Sequence, residues 1–148
     1  MLIDRHRKQT KQYFWWESLI AEEVKIKRAE MDARRHAKNP VGVDDPTGDF
    51  VVRKNMPLRK VTIYVRGKRV TIRDPEAWLD IISYTYAVYS NQPISQLVRE
   101  RIKTKKSIDV LSGFIGVSRE TYQRWEREFF DDASFLAAKS GLFREKNF

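Results

Sequence analysis

The sequence predicts a mainly α-helical fold with one β-hairpin, a long N-terminal helix and a C-terminal helix-turn-helix. Apolar residues recur at three- and four-residue steps over most of the chain, as they do on one face of a helix. Two short segments of alternating apolar and polar residues, 61–65 and 70–72, flank a glycine and predict the hairpin. A glycine turn between two amphipathic segments predicts the helix-turn-helix at residues 108–127.

The N-terminal region, residues 1–38, is predicted to be a basic helix used for packing or dimerisation, with its helical pattern running over residues 9–38. Its apolar stripe consists of four residues: Tyr13, Trp16, Ile20 and Val24. Phe14 lies outside this stripe, and no Gly or Pro occurs before Pro40. A broad apolar face on a single helix serves either as a core-packing surface or as the seam of a homodimer, and both interpretations stay open.

Residues 39–75 are predicted to form a linker followed by a basic β-hairpin. The segment 39–49 contains two Pro, two Gly and three Asp, a composition typical of a loop. Its carboxylates are Asp44, Asp45 and Asp49. Their spacing does not match a calcium-binding loop, which alternates its ligands and closes with a distant Glu, so we predict no metal site.

The hairpin is expected over residues 59–73, with Gly67 and Lys68 in the turn. The predicted cross-strand pairs are Val65 with Val70 and Ile63 with Ile72. A shift of two residues would keep the same side chains on each face, so the pattern does not fix the register. The tip carries Arg66, Lys68 and Arg69. These side chains are either solvated or in contact with phosphate or the minor groove of DNA.

Residues 76–148 are predicted to form a helical domain, which begins after Asp74 as N-cap and Pro75 in the first turn. Its first helix should bury one stripe of side chains: Trp78, Ile81, Ile82, Thr85, Tyr86 and Tyr89. Residues 91–93, Asn-Gln-Pro, should end this helix. A second helix is expected over residues 94–103, and its buried residues should be Ile94, Leu97, Val98 and Ile102.

The helix-turn-helix prediction depends on residues with specific backbone roles. Ser107 and Ser118 are expected to cap the two helices, and Gly116 to close the first helix in a left-handed conformation. Val117 should fill the corner between the helices, and the second helix should end near Phe130. The predicted inward-facing residues are Ile108, Leu111, Ile115, Tyr122, Trp125 and Phe129.

The charge distribution indicates a polyanionic partner. The net charge is +9, residues 53–73 hold eight basic and no acidic side chains, and residues 97–107 hold five basic and one acidic. We therefore predict binding to double-stranded DNA. The predicted base-reading residues are Ser118, Arg119, Glu120, Gln123, Arg124 and Arg127. The predicted phosphate contacts are Lys103, Lys105, Lys106, Ser107, Arg66, Lys68 and Arg69.

Residues able to perform catalysis are sparse, and we expect neither an enzyme nor a cofactor. The chain has no Cys, and its two histidines, His6 and His36, have no nucleophile at a recognised spacing. Asp131 and Asp132 are interpreted as solvated carboxylates. Neither a secretory signal nor an apolar run near the roughly 20 residues that span a bilayer is visible. These features predict a soluble, cytoplasmic protein without a membrane partner.

The chain resembles a known family, the RinA-like and ArpU-like late-gene transcription activators of Gram-positive bacteriophages. The resemblance covers a basic helical N-terminus, the linker 39–48, a middle helix rich in Ile and Tyr, and a C-terminal segment similar to region 4 of sigma factors. The closest local similarity lies in residues 110–124, VLSGFIGVSRETYQR. The resemblance implies a sequence-specific activator that acts in the bacterial host cell and helps RNA polymerase transcribe structural genes.

Two other functions fit the same sequence features. Small terminase subunits, which package phage DNA, also join a helix-turn-helix to oligomerising helices, and a ring of about eight or more subunits would indicate that function. A protein-binding adaptor would need no basic DNA-reading face.

Overall fold

The computed structural model describes residues 3–38 and 56–143. In these two ranges the chain forms six helices and one two-stranded antiparallel sheet: α1 (Asp4–Trp15), α2 (Glu17–Lys38), β1 (Lys60–Val65), β2 (Lys68–Arg73), α3 (Pro75–Val88), α4 (Pro93–Thr104), α5 (Ile108–Ile115) and α6 (Arg119–Lys139). The predicted mainly α fold with one hairpin is therefore confirmed. The predicted linker and its three aspartates lie outside the described residues.

The chain divides into two compact units, and their boundaries differ from the predicted regions. The first unit comprises Met1–Trp16 and Asp80–Phe148, and the second comprises Glu17–Leu79. The predicted division placed all of residues 1–38 in one region. In the structure, α1 clusters with the C-terminal helices instead, because its buried side chains belong to their core.

The predicted single helix over residues 9–38 is wrong in detail, because the helix is interrupted at Trp16. The first helix starts earlier than predicted, at Asp4, and Trp16 follows it with φ −98° and ψ 8°. Phe14, outside the predicted stripe, is fully buried in the first unit, and Ile20 is fully buried in the second unit. The interruption at Trp16 therefore lies between a buried residue of the first unit and a buried residue of the second.

The core of the first unit is built around α6, which packs against α1, α4 and α5. Five aromatic rings meet there: Phe14, Tyr86, Tyr89, Phe129 and Phe130. The ring centroid of Phe129 lies 5.5 Å from Phe14, 5.5 Å from Tyr86 and 5.2 Å from Tyr89. Several of these contacts are edge-to-face, the arrangement that aromatic quadrupoles favour.

Two small buried residues allow α1 and α6 to approach closely. The Ser134 hydroxyl donates a hydrogen bond of 2.9 Å to Thr10 Oγ1, and Thr10 Oγ1 donates to the His6 carbonyl at 2.9 Å. Both Thr10 and Ser134 are fully buried. Since each hydroxyl has a partner, burying them does not leave an unsatisfied polar group.

The hairpin of the second unit has a different register from the predicted one. The turn is formed by Arg66 and Gly67, with φ of 52° and 78°, as a type I′ turn requires at both central positions. The observed pairs include Val65 with Lys68, Ile63 with Val70 and Val61 with Ile72. This is a shift of two residues, so the faces are those predicted: Val61, Ile63 and Ile72 are buried, and Tyr64 and Thr71 are exposed. Strand β1 packs against α2.

Helices α3 and α4 follow the predicted pattern. The Trp78 amide donates to the Asp74 carbonyl at 3.1 Å, which places Asp74 at the N-cap position, although its φ is 49°. All six predicted side chains are buried: Trp78, Ile81, Ile82, Thr85, Tyr86 and Tyr89. In α4, the predicted residues Ile94, Leu97 and Val98 are buried, and Ile102 is half-buried.

One ion pair in the second unit joins α2, the segment before β1 and the start of α3. The Arg28 guanidinium donates to both Glu76 carboxylate oxygens, at 2.6 and 3.2 Å, and to the Met56 carbonyl at 2.7 Å. The Leu58 amide also donates to Glu76, at 2.8 Å. Burial alone would raise the pKa of Glu76, but the hydrogen bonds from Arg28 and Leu58 and the Arg28 charge outweigh it, so the pKa is lowered.

This ion pair predicts an acid-sensitive contribution to stability. Because the folded-state pKa of Glu76 is lowered, its contribution is present above the ordinary pKa of 4.5 and is lost as the pH falls through the folded value. We expect Glu76→Gln to lower the urea midpoint at pH 7, and the gap to the parent protein to narrow at pH 3. Glu22→Gln, an exposed substitution on α2, is the control. A gap for Glu76→Gln that is equal at both pH values would contradict this assignment.

Candidate nucleic-acid interface

Helices α5 and α6 are joined by a tight turn whose backbone agrees with the predicted caps. Ser107 Oγ accepts a hydrogen bond from the Val110 amide at 3.3 Å, at the start of α5. Gly116 follows α5 with φ 70°, and the Val117 amide donates to the Ser112 carbonyl at 3.1 Å. A left-handed glycine that closes a helix in this way turns the chain sharply.

Helix α6 begins as predicted but is longer than predicted. Ser118 caps it by accepting a hydrogen bond of 3.1 Å from the Thr121 amide. The helix continues past Phe130 to Lys139, because Phe130, Ala133 and Ala137 in its second half are buried. The first turns of α6 therefore belong to a helix whose second half is anchored in the core.

Three of the six predicted inward-facing residues of this pair of helices are buried: Leu111, Tyr122 and Phe129. Ile108 and Trp125 are half-buried, and so is Val117, the predicted corner residue. The prediction for Ile115 is wrong, since 37% of this residue is exposed. Ile115 is the last residue of α5 and adjoins the exposed turn at Gly116, whereas Leu111 and Ser112 form the buried part of the helix.

All but one of the six predicted base-reading residues are exposed to solvent. Five are exposed: Ser118, Arg119, Glu120, Arg124 and Arg127. Gln123 is half-buried. Two of the exposed side chains have contacts within the protein. Ser118 Oγ also donates to Thr121 Oγ1 at 2.9 Å, and the Arg119 guanidinium donates to both Asp109 carboxylate oxygens, at 3.1 and 3.2 Å.

Four predicted phosphate contacts lie between α4 and α5 or at their ends, and all four are exposed: Lys103, Lys105, Lys106 and Ser107. Lys105 has φ 58° and separates the two helices. Lys106 Nζ lies 3.9 Å from a Glu100 carboxylate oxygen and 5.2 Å from the centroid of the Phe114 ring. The Asp109–Arg119 pair brings the first turn of α5 beside the first turn of α6. The segment 105–107 therefore leads directly into the turn of α5 that contacts the N-terminal end of α6.

The hairpin residues proposed for phosphate contact belong to the other unit. Arg66, Lys68 and Arg69 are all exposed at the tip and the first residues of β2. Their exposure agrees with either interpretation of the tip.

A buried carboxylate on α6 was not predicted. The Glu126 side chain is only 7% exposed. Its Oε1 forms an ion pair with the Lys11 ammonium, at 3.3 Å, and another with the Arg101 guanidinium. This network joins α1, α4 and α6. Burial raises the pKa of the neighbouring Tyr122 hydroxyl, and the negative charge of Glu126 raises it further. Glu126 occurs four residues after Tyr122 and three before Phe129, so its place on the buried stripe is visible in the sequence.

A basic face of α1 was also not assigned to the interface. Arg7, Lys8 and Lys11 line an open groove, and Gln123 and Arg127 of α6 line its other side. The i, i+3 spacing of Lys8 and Lys11 indicates a shared helix face. The neighbour of that face could not be identified before the packing of α1 against α6 was known.

Comparison of the chain with protein-family models, curated proteins and solved structures finds no match. Within residues 3–38 and 56–143, no group of three or more His, Cys, Asp or Glu side chains could hold a metal ion. In the same part of the chain, no helix has the length and apolar character needed to cross a bilayer.

Proposed function

We propose that the protein is a sequence-specific, double-stranded DNA-binding regulator of transcription, in which α5 and α6 act as a helix-turn-helix. One observation carries this proposal. The first turns of α6 are capped by Ser118 and anchored by buried Tyr122, and they present Arg124 and Arg127 to solvent. A helix fixed in this way can enter the major groove with a chosen face towards the bases.

The outward side chains have the chemistry that base recognition requires. Arg forms bidentate hydrogen bonds with guanine, and Gln forms them with adenine, so Arg124, Arg127 and Gln123 can each distinguish bases. Arg124 and Arg127 have no ion pair among the described residues, so neither has to break one to bind DNA. Arg119 would have to give up its hydrogen bonds to Asp109 in order to contact a base, so we expect it to contribute less than Arg124 or Arg127 to the affinity for DNA.

The adjoining cations complete the proposed interface. Lys103, Lys105 and Lys106 supply charge beside the start of α5, where the Ser107-capped N-terminus also favours an anion. Phosphate contacts of this kind fix the orientation of a helix on the duplex without reading its sequence. The resemblance to phage late-gene activators extends the proposal to activation of late genes, with RNA polymerase as a second partner.

The decisive experiment compares one proposed base-reading residue with one proposed phosphate contact. A binding site is first selected from a pool of randomised duplexes, and dissociation constants are then measured for that site and for a scrambled duplex. Arg124→Ala should cost about 1–3 kcal/mol on the selected site and much less on the scrambled one. Lys105→Ala should weaken both duplexes equally and reduce the slope of log K against log salt by about 1.

The parent protein provides the internal reference for this comparison. If about five phosphates are neutralised, its slope of log K against log salt should be near −4.5. Absence of duplex binding at low salt, or a flat salt response, would overturn the proposed DNA-binding function. If Arg124→Ala, folded as judged by circular dichroism, weakened both duplexes alike, α6 would not read bases through this residue.

A further inference from the structure

An open groove of about 470 Å³ runs between α1 and α6 in the first unit. Arg7, Lys8 and Lys11 of α1 line one side, and Gln123 and Arg127 of α6 line the other. Ile108, the first residue of α5, also lines it. The groove therefore adjoins both the start of α5 and two residues of the proposed reading helix.

The groove retains free positive charge after its internal ion pairs are taken into account. Its two acidic residues are Glu126 and Asp131. Glu126 pairs with Lys11, and Asp131 Oδ1 lies 2.9 Å from the Arg7 guanidinium. Lys8 and Arg127 are exposed and have no ion pair among the described residues. One cation on each side of the groove, Lys8 of α1 and Arg127 of α6, is therefore available to bind a negatively charged ligand.

The position of the groove indicates which anion would occupy it. Helix α5 contacts α6 at Arg119, through Asp109, and α1 contacts α6 at Asp131, through Arg7. These two points are about 18 Å apart along the α6 axis at about 1.5 Å per residue. Phosphates of one DNA strand recur about every 3.4 Å along the duplex axis. A stretch of α6 about 18 Å long can therefore lie beside several of them. A strand that passes along this side of α6 would meet the cations before α5 at one end and α1 at the other.

We propose that α1 is a second DNA-contacting element, in which Lys8 binds a backbone phosphate of the duplex that α6 reads. This proposal rests on the proposed function and adds to it a contact from a helix that is distant in sequence. Lys8 would position the duplex across Gln123 and Arg127 without reading its sequence, as phosphate contacts do. The buried Thr10–Ser134 hydrogen bond and the Arg7–Asp131 pair hold α1 in register with α6 and so fix the place of Lys8.

The test compares Lys8→Gln with Lys139→Gln in the full-length chain. Both substitutions remove one positive charge from an exposed lysine of the first unit. Lys139 lies outside the groove, at the last residue of α6, about 18 Å beyond Arg127 along the helix axis. The probes are the selected duplex and the scrambled duplex described above. Lys8→Gln should weaken binding of both several-fold and by the same factor, and should reduce the salt slope by about 0.9. Lys139→Gln should leave the slope unchanged.

The possible outcomes separate this inference from the proposed function. If Lys8→Gln and Lys139→Gln behave alike while the parent protein binds with a steep salt slope, the contact by α1 is disproved and the proposed function stands. If Lys8→Gln affects only the selected duplex, Lys8 reads sequence and its proposed phosphate role is overturned. If the parent protein binds no duplex DNA, both proposals fail. Lys8→Glu, which should weaken both duplexes more than Lys8→Gln, checks that the effect follows the charge at this position.

Discussion

Phe129→Ala is expected to lower the free energy of unfolding by about 3–5 kcal/mol, the range for truncating a fully buried aromatic residue. Phe129 is fully buried, and its ring meets those of Phe14, Tyr86, Tyr89 and Phe130 at centroid distances of 5.2 to 5.5 Å. Removing the ring leaves a cavity at the point where α1, α3 and α6 meet. Urea denaturation followed by far-ultraviolet circular dichroism measures the loss.

The matched control for this prediction is Phe135→Ala. Phe135 lies on the same helix, six residues further along, but is 55% exposed. We expect it to cost less than about 1 kcal/mol, because a residue exposed to this extent leaves only a small cavity when truncated. Equal losses for the two substitutions would show that the aromatic cluster is not the core of this unit.

Glu126→Ala should destabilise the protein by about 2–4 kcal/mol. The substitution leaves Arg101, whose side chain is 20% exposed, without its carboxylate partner and also removes the partner of Lys11. Loss of one member of a buried pair is costly because the remaining charge is poorly solvated. This value extends below the roughly 3–5 kcal/mol typical of fully buried pairs, since Lys11 remains 44% exposed and can be solvated by water. Urea denaturation again provides the measurement.

Two further variants separate the ion pair from other effects of this substitution. Glu128→Ala removes an exposed carboxylate from the same helix and should change stability by less than about 0.5 kcal/mol. The double variant Glu126→Leu/Arg101→Met replaces the pair by apolar side chains and should recover much of the loss, as buried ion pairs often tolerate such replacement. If Glu126→Ala were as mild as Glu128→Ala, the network would not be holding α1, α4 and α6 together.

These two sites also connect the fold to the proposed function. The aromatic cluster and the Glu126 network fix α6 against α1 and α4, and the outward position of Arg124 depends on that orientation. A variant that loosens α6 should therefore reduce discrimination between the selected and scrambled duplexes even before it unfolds. The Arg124 measurement consequently has to be made on variants whose stability is unchanged.

The local sequence determined the features that depend on neighbouring residues. Gly116 after a short apolar segment and Ser107 and Ser118 at the two caps were sufficient to place α5, the turn and the start of α6. Helical spacing was sufficient to identify the buried stripe of α3 from Trp78 to Tyr89. These signals are reliable because caps, left-handed glycines and helix periodicity act within a few residues of one another.

Only the tertiary structure decided the features that depend on distant residues. The N-terminal helix is interrupted at Trp16, between Phe14 of the first unit and Ile20 of the second unit, and no local pattern shows this interruption. The hairpin register followed from the backbone of the Arg66-Gly67 turn, since alternation alone fits two registers that differ by two residues. Glu126 became a buried ion-pair partner, and Lys8 a groove residue, because α1 packs on α6 across more than a hundred residues of sequence. Contacts between residues so far apart in sequence depend on the shape and charge of the whole core, which helical periodicity does not encode.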